Sequence, residues 1–440
     1  MFLPAMLRDQ KGAVAILTAF SIVILIGFAA LAIDIANLLA AKNELQNAAD
    51  AAALAGAQVL YLEDGSAVNP GANEVAYETA IAHLSQGVAI ETGEDYASNT
   101  SDIQRGHWNW ISHAFVENAS TLPTELWDVS DEQLAENTDF INAVRVAVRR
   151  ESTPVTAFFA RIFGYEGFAL EATAVAWIGF AGSIEPYDVD LPFTLCAQAI
   201  THDQSVHGKY TCDYGRTTNS GSNADTFNTA AWANLDQDGG ANTNDIRPFI
   251  DRPVCEGGNT DPIFFNLGLS ATGGAVQPLY DDLVYCWEKI TNKTTPWKVT
   301  LPVIDCGDSR NPSGRLGLVG VLTLYIVWAK DNASVSKYND IPVEMEGVPE
   351  MGISDWSQSA DCLVDADGNS IDLGTAEGRE ACWISFAKHF RLNSVYSNNT
   401  PADFMKNTIY FIPDCSPHKP IGNSSMNNFG ILAKHPVLVQ

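Results

Sequence analysis

The feature that most constrains this chain is an uncharged apolar run near its start. It reads GAVAILTAFSIVILIGFAALAI and extends over 22 residues, from Gly12 to Ile33. As an α-helix it would be roughly 33 Å long, which matches a bilayer hydrocarbon core of about 30 Å. The alternative is a cleaved secretory signal, whose apolar region is only about 7–15 residues long and ends at a small-residue cleavage site. Because this run is longer and continues into further helical sequence, it predicts a transmembrane helix over residues 12–33.

Basic residues flank this run unequally. Arg8 and Lys11 precede it, whereas Lys42 is the one basic residue among the twenty that follow. Cytoplasmic flanks of membrane helices carry the excess of Lys and Arg. The sequence therefore predicts a cytoplasmic tail over residues 1–11, a single membrane pass, and an extracytoplasmic location for everything after Asp34.

The helix is predicted to continue well beyond the membrane. No proline occurs between Pro4 and Pro70, so no helix-breaking residue precedes about Leu62. We therefore expect residues 34–63 to be the extracytoplasmic continuation of one rod, about 75 Å long in total.

This continuation carries a strip of small side chains. Residues four apart share one face of a helix, and here two such rows run side by side. The rows consist of Ala48, Ala52 and Gly56, and of Ala49, Ala53 and Ala57. Because small residues let another helix approach closely, we expect the strip to contact a partner protein. The alternative is that the strip packs on the head of its own chain.

Residues 64–182 are predicted to form a small α+β head. Helical spacing indicates a short second helix within residues 73–86, and alternation indicates strands at 105–115, 141–150 and 168–180. A further short helix is expected between a capping Thr153 and a stop at Gly164. In the middle strand three valines would face one side and two arginines the other, namely Val144, Val146 and Val148 against Arg145 and Arg149.

Residues 183–440 differ sharply in composition and are predicted to form a β-rich distal domain. Sixteen of the twenty prolines and every cysteine lie in this part, and its clearest strands are residues 297–306 and 315–330. The second of these is too short and too rich in β-branched residues to be another membrane helix. The cysteines are Cys196, Cys212, Cys255, Cys286, Cys306, Cys362, Cys382 and Cys415. An even number confined to one region predicts disulfides formed in an oxidising compartment, with the pairing left open.

The charge excludes one class of function. With 53 acidic and 25 basic residues, the formal net charge is −28, and nucleic-acid binding needs clustered Lys and Arg. Signatures of the common catalytic sites, such as HExxH, GxSxG and a phosphate-binding glycine loop, do not occur. The sequence therefore predicts a protein that is neither a nucleic-acid binder nor an enzyme.

One segment has the residue spacing of a calcium loop. It is NLDQDGGANTND, and its candidate ligands are Asn234, Asp236, Asp238, Gly240, Asn242 and Asp245. Oxygen ligands at alternate positions with a glycine at the sharp turn fit Ca²⁺, although Asp replaces the usual bidentate Glu at the last position. A solvated turn would produce the same composition, so calcium is the one cofactor considered and no other is expected. Residues 365–372 show a weaker version of this pattern.

A second pattern could in principle surround zinc. Its members are Cys196, His202, His207 and Cys212. Because cysteines in an oxidising compartment pair with each other, disulfides are the preferred interpretation for Cys196 and Cys212.

The N-terminal third resembles a known family. Gly12 before the apolar run, Asp34 at its far end and the LQNAADAAALAGA block from Leu45 to Ala57 are similar to the TadG-like (TadE/TadG-like) proteins of tight-adherence, or Flp, pilus assembly. The head segments QRGHWNW, NAVRVAVRR and ALEATAVAW resemble the extracytoplasmic part of the same family. Leu17 stands where processed pilin-like subunits carry a Glu, so permanent anchoring is expected.

The resemblance implies a pilin-like, single-span protein of the bacterial inner membrane. Its partners would be the lipid bilayer and other pilus-assembly proteins, which would contact the Ala-rich helix face. The alternative function is a membrane-anchored surface adhesin, or calcium-dependent binding module, that uses the same anchor. The residues leave open whether the protein enters the fibre or stays at its base.

Overall fold

One long helix organises the first third of the molecule. The computed structural model describes residues 11–62, 67–121, 131–201, 210–212, 216–219, 229–274, 276–331, 338–364, 368–394, 400–401, 404–420, 422–425, 427, 429 and 431–440. Helix α1 extends over 48 residues, from Lys11 to Gln58. The predicted rod is therefore confirmed, and it ends slightly before Leu62.

The remaining described helices are short. They are α2 (Ala72–Ile81), α3 (Asp131–Glu136), α4 (Thr243–Ile246), α5 (Gln277–Thr291), α6 (Gln358–Asp361) and α7 (Ala376–His389). Helix α2 confirms the second helix predicted within residues 73–86.

The strands that begin before residue 180 are β1 (Leu84–Ser85), β2 (Val88–Ala89), β3 (Ile103–Asn109), β4 (Ala114–Glu117), β5 (Ala143–Thr156) and β6 (Gly167–Trp177). The later strands are β7 (Phe180–Ala181), β8 (Ser183–Ile184), β9 (Phe193–Cys196), β10 (Ile200–Thr201), β11 (Tyr210–Cys212), β12 (Arg216–Asn219), β13 (Thr229–Asn234), β14 (Ile263–Phe264), β15 (Leu269–Thr272), β16 (Trp297–Ile304), β17 (Gly314–Leu316), β18 (Leu318–Lys330), β19 (Glu344–Met345), β20 (Trp356–Ser357), β21 (Asn393–Ser394), β22 (Thr400–Pro401), β23 (Thr408–Phe411), β24 (Asp414–Pro417), β25 (Ser424–Ser425) and β26 (Val437–Leu438).

The head is an antiparallel sheet that packs on α1. Its strand order is β26-β6-β5-β3-β4, and α1 contacts both β5 and β6 as well as α2. The alternation predicted for β5 is confirmed, because its valines at 144, 146 and 148 are fully buried while Arg145 and Arg149 are partly exposed. The guanidinium of Arg149 forms an ion pair with Asp102.

The prediction of a helix between Thr153 and Gly164 is wrong. Strand β5 continues through Pro154 to Thr156, and only a single 3₁₀ turn, Ala160–Phe163, precedes Gly164. The stop at Gly164 is correct, since its φ of 89° lies in the left-handed region that favours glycine. The error has a physical cause: residues 155 and 156 pair with Phe168 and Gly167 of β6, and this pairing outweighs the local capping signal.

Among the residues that the structure describes, the distal part is built on an 11-stranded sheet. Its strands β18, β16, β9, β13, β12 and β23 are hydrogen-bonded in that order, and β23 pairs again with β18. These six strands therefore close into a ring. The two segments predicted as the clearest strands form β16 and the consecutive strands β17 and β18. Strand β18 pairs with β16, β23 and β24 and is central, whereas β17 pairs with β15.

All eight cysteines form disulfides, which confirms the predicted framework. The pairs are Cys196–Cys306, Cys212–Cys415, Cys255–Cys286 and Cys362–Cys382. The first joins the last residue of β9 to Cys306, which lies just after β16. The second joins β11 to β24. Covalent bonds therefore connect strands that lie far apart in the chain.

One strand returns from the distal part to the head. Strand β26 pairs antiparallel with β6, with Val437 opposite Trp177 and Leu438 opposite Ala176. The N–H of Val175 donates to the carbonyl of Gln440 at 2.8 Å. The sequence did not predict this connection, and the domain limits at 64–182 and 183–440 stay a prediction.

Candidate membrane-proximal site

The first half of α1 is apolar and uncovered. From Val14 to Leu31 its large side chains are about half to two-thirds exposed, among them Leu17, Phe20, Val23, Leu25 and Phe28. Contiguous apolar surface of this extent marks a membrane or protein contact. Among the described residues, α1 is the one helix long and apolar enough to cross a membrane. These features fit membrane anchoring by α1.

Asp34 lies near the end of this apolar surface and is itself buried. Its side chain is only 5% exposed although it lies directly after the apolar run. Its two carboxylate oxygens accept the backbone N–H groups of Phe158 at 2.8 Å, Phe159 at 3.1 Å and Ala160 at 2.7 Å. A carboxylate that accepts several N–H groups forms charge-assisted bonds, which are stronger than neutral ones. Asp34 therefore fixes the loop between β5 and β6 to the helix.

Further polar contacts attach the head along about the next three turns of α1. The amide of Asn37 donates to the carbonyl of Thr156 at 3.2 Å, and the ammonium of Lys42 donates to the carbonyl of Glu171. The amide of Gln46 reaches the carbonyl of Thr173 at 3.2 Å. Helix and sheet are thus connected from Asp34 onward, which gives the head a defined position relative to the apolar segment.

The Ala-rich strip does not face outward as expected. All five of its alanines are fully buried, namely Ala48, Ala49, Ala52, Ala53 and Ala57. A Cβ built on Gly56 would lie 3.0 Å from both Ala76 of α2 and Val144 of β5. The strip therefore lets the chain's own head approach α1 closely, which is the alternative given above. The expectation that these residues contact a partner is corrected, because side chains without exposed surface cannot do so.

The candidate calcium segment follows β13 and forms a hydrogen-bonded turn. The side-chain amide of Asn234 donates to the carbonyls of Asp238 at 2.7 Å and Gly240 at 3.1 Å, and its oxygen accepts the N–H of Asp236 at 3.0 Å. Asn242 caps α4 by accepting the N–H groups of Asn244 and Asp245. These hydrogen bonds are those expected of a solvated turn without a metal ion, which is the alternative interpretation given above.

Charge in this turn is nonetheless concentrated. Desolvation raises the pKa of Asp236, and the negative charges of Asp238 and Asp261 raise it further. No cluster of three or more His, Cys, Asp or Glu side chains suited to a metal was found in the part of the chain that the structure describes. The calcium site, which also counts amide and carbonyl oxygens, stays a prediction.

The two weaker metal patterns have different outcomes. Cys196 and Cys212 are both used in disulfides, so they cannot serve as zinc thiolates. His202 and His207 lie outside the described residues, as do residues 365–367 of the second acidic segment.

Sequence reasoning singled out Asp34 but missed its partner loop. The available signal was FFARIFGY, residues 158–165, in which apolar residues cluster without a core strand to hold them. The false helix prediction hid this signal, because helical residues would have been assigned to packing within the head.

Two family models match the chain. Residues 12–59 match the model described as Flp pilus-assembly TadE/G-like, and residues 40–176 match the model described as Tad-like Flp pilus-assembly. A search of curated proteins and a search of solved structures each found no match. The matched residues coincide with α1 and the head, and they end at the last strand before the distal part.

Proposed function

Residues 12–176 belong to the Tad family of Flp pilus-assembly proteins, and on that premise we propose that this chain is a membrane-anchored, pilin-like component of a tight-adherence pilus or secretion system. Its role is structural rather than enzymatic. The observation that supports it is the continuity of α1, whose first half is uncovered and whose second half is the core of the matched head.

The proposed mechanism is lateral packing of the uncovered helix. A row of small residues spaced four apart, Ala32, Ala36 and Ala40, lies on the exposed surface of α1. Such rows let helices approach each other closely in or near a membrane. In this mechanism another pilus-assembly helix contacts this exposed row, while the buried strip around Ala52 holds the head.

Deletion and complementation test this function. Deleting the gene for this chain in its native host should abolish surface pili, as counted by electron microscopy. Expressing the wild-type chain from a plasmid should restore them. Ala36→Leu should restore fewer pili because its side chain blocks the approach. Ala19→Leu makes the same change about 100° around the helix and should restore them fully. Normal piliation without the chain would contradict the proposal.

The proposed topology places residues 1–11 in the cytoplasm and the head and distal part outside the inner membrane. Disulfide formation and the positive-inside bias support it. Protease added to spheroplasts should digest an epitope inserted in the distal part, and an epitope at residue 2 should be digested only after the membrane is permeabilised. The reverse pattern would contradict this topology.

A surface adhesin or calcium-dependent binding module is the second candidate. It is favoured by the size of the part beyond residue 176, which lies outside the two matched models and carries its own disulfide-linked sheet. Calorimetric titration of the full chain in detergent with calcium should then give heat that Asp238→Asn removes, while Asp281→Asn, an exposed change elsewhere, should retain it. No heat at millimolar calcium would leave the assembly role as the explanation.

A further inference from the structure

The tip of the β5–β6 hairpin is apolar and largely uncovered, although the ring of Tyr165 stacks on a neighbour, Phe168. Its exposed large side chains are Phe158 (60%), Phe159 (37%), Ile162 (80%), Phe163 (80%) and Tyr165 (59%), and we call these five residues the apolar tip. The loop is well ordered by its own backbone: the N–H of Ala157 donates to Glu166 at 3.1 Å, and the N–H of Tyr165 donates to Ala160 at 3.2 Å. Solvent exposure of five large apolar groups in an ordered loop requires something to cover them.

The position of the apolar tip identifies what covers it. Asp34 binds the N–H groups of Phe158, Phe159 and Ala160, so the tip lies beside the first residue after the predicted span. The exposed apolar surface of α1 extends about one turn beyond Asp34, through Ile35 and Leu39, and ends there. The tip is therefore continuous with the surface that a bilayer would cover.

The register of the sheet shows that this placement is specific to one end of the head. Strand β3 is antiparallel to β5, with Ile103 opposite Val146 and Gly106 opposite Ala143. The β3–β4 turn therefore lies at the end of the sheet opposite the apolar tip. That turn carries one exposed large apolar side chain, Ile111.

The composition of the apolar tip suits a membrane interface. Aromatic side chains are enriched where headgroups meet acyl chains, since their rings are apolar and, in Tyr, the hydroxyl remains in water. Exposed Arg161 sits among the apolar tip residues in a chain of net charge −28. An Arg at this depth can bury its stem and direct its guanidinium to lipid phosphates.

We propose that the apolar tip inserts into the headgroup–acyl boundary of the extracytoplasmic leaflet and, through Asp34, fixes the head against the membrane surface. This inference depends on the proposed membrane topology but not on pilus assembly. It assigns the β5–β6 loop as a second membrane contact, separate from the span. Without this contact, a single membrane helix would leave the helix and its attached head free to tilt relative to the membrane surface.

Depth-dependent fluorescence quenching tests the proposal on the full chain. All eight native cysteines are in disulfides, so one introduced cysteine can be labelled selectively. Ile162→Cys, Ile111→Cys and Ile22→Cys would each carry an environment-sensitive fluorophore. The chain would be placed at one copy per nanodisc of phosphatidylethanolamine and phosphatidylglycerol, with nitroxide on either the headgroup region or the acyl chain of the lipid.

The expected result is a blue-shifted label at position 162 that a shallow nitroxide quenches, with an unquenched label at 111 and a label at 22 quenched by a deep nitroxide. An unquenched label at 162 beside a quenched one at 22 would overturn the proposal and leave the topology intact. Loss of quenching at 22 would overturn both. A label at 162 that shifts only at several copies per disc would identify a second copy as the covering surface and overturn the lipid proposal.

Discussion

Asp34 shows how one side chain can connect an exposed apolar helix segment to a folded head. A carboxylate is costly to bury unless its charge is hydrogen-bonded, and here three backbone N–H groups supply those bonds. The same bonds satisfy N–H groups at the start of a 3₁₀ turn, which have no other partner within that turn. The Asp34 carboxylate and the β5–β6 loop therefore stabilise each other.

Replacing Asp34 with Ala should release the β5–β6 loop. The change leaves the N–H groups of Phe158, Phe159 and Ala160 unpaired, at a cost of about 1–3 kcal/mol for each group that stays buried. Hydrogen exchange at these three amides should become faster, with little change in the middle of β5. Asn37→Ala removes two exposed neutral bonds, one to the carbonyl of Thr156 and one from the side-chain amide of Gln86, and should have a smaller effect on these amides. Equal exchange rates in both variants would contradict the role given to Asp34.

Glu91 makes head stability depend on pH. Desolvation would raise its pKa, but hydrogen bonds from Ser152 and Thr153 outweigh this and lower it from 4.5 to about 2. Because the folded-state pKa is the lower one, the stabilisation is fully present above pH 4.5 and is lost as the pH falls towards 2.

The melting temperature of the head should therefore fall between pH 4.5 and 2, and Glu91→Gln should reduce that fall because Gln does not titrate. Thermal unfolding of the wild-type protein and of the variant, followed by circular dichroism across this pH range, measures both melting temperatures. A fall of equal size in the variant would show that other carboxylates carry the dependence.

Helix α1 has two environments along a single element. Before Asp34 its large apolar side chains are exposed, whereas from Ala41 onward one face is buried beneath the head. Small residues occur in both parts, but their surroundings differ. In the second part they set the distance between the helix and the sheet, since any larger side chain would have to displace β5 or α2.

Enlarging the buried strip should destabilise the head. Ala52→Leu inserts a side chain where the exposed fraction is 0%, and overpacking of this kind costs about 1–3 kcal/mol. Ala36→Leu makes the same change on exposed helix surface and should leave the free energy of unfolding almost unchanged. Chemical denaturation in detergent measures both. Unchanged stability in Ala52→Leu would contradict the close packing of the strip beneath the head.

The whole molecule is held together by connections between segments that are distant in sequence. Cys212 and Cys415 are 203 residues apart, and β26 returns to pair with β6 of the head. A bridge that closes a long loop restricts the unfolded chain more than one that closes a short loop. Stability of the distal sheet therefore depends on bridges of very different loop length.

Removing the Cys212–Cys415 bridge by a double change to Ala should cost about 2–5 kcal/mol. Removing Cys362–Cys382, which are 20 residues apart, serves as the matched control and should cost less. The midpoint of thermal unfolding, followed by tryptophan fluorescence, shows which of the two variants loses more stability. Because both bridges join buried cysteines, a larger loss in the control would mean that local packing outweighs loop length.

The local features of this protein follow from its sequence because they depend on near neighbours. The uncharged run and the absence of proline predicted α1, alternation predicted the valine face of β5, and the confinement of cysteines predicted a disulfide-linked distal part. An apolar run rich in β-branched residues also predicted β18. Where a local signal failed, at Thr153, pairing with β6 had overridden it.

Tertiary structure alone decided the features that join distant residues. Local spacing showed that the strip around Ala52 was smooth but could not show which surface lay against it, and the head occupies that place. The pairing of the cysteines, the return of β26 and the contact of Asp34 with residues 158–160 depend likewise on how the chain closes over long separations. Sequence periodicity reports the faces of an element, whereas the partner of each face is set by the packing of the whole chain.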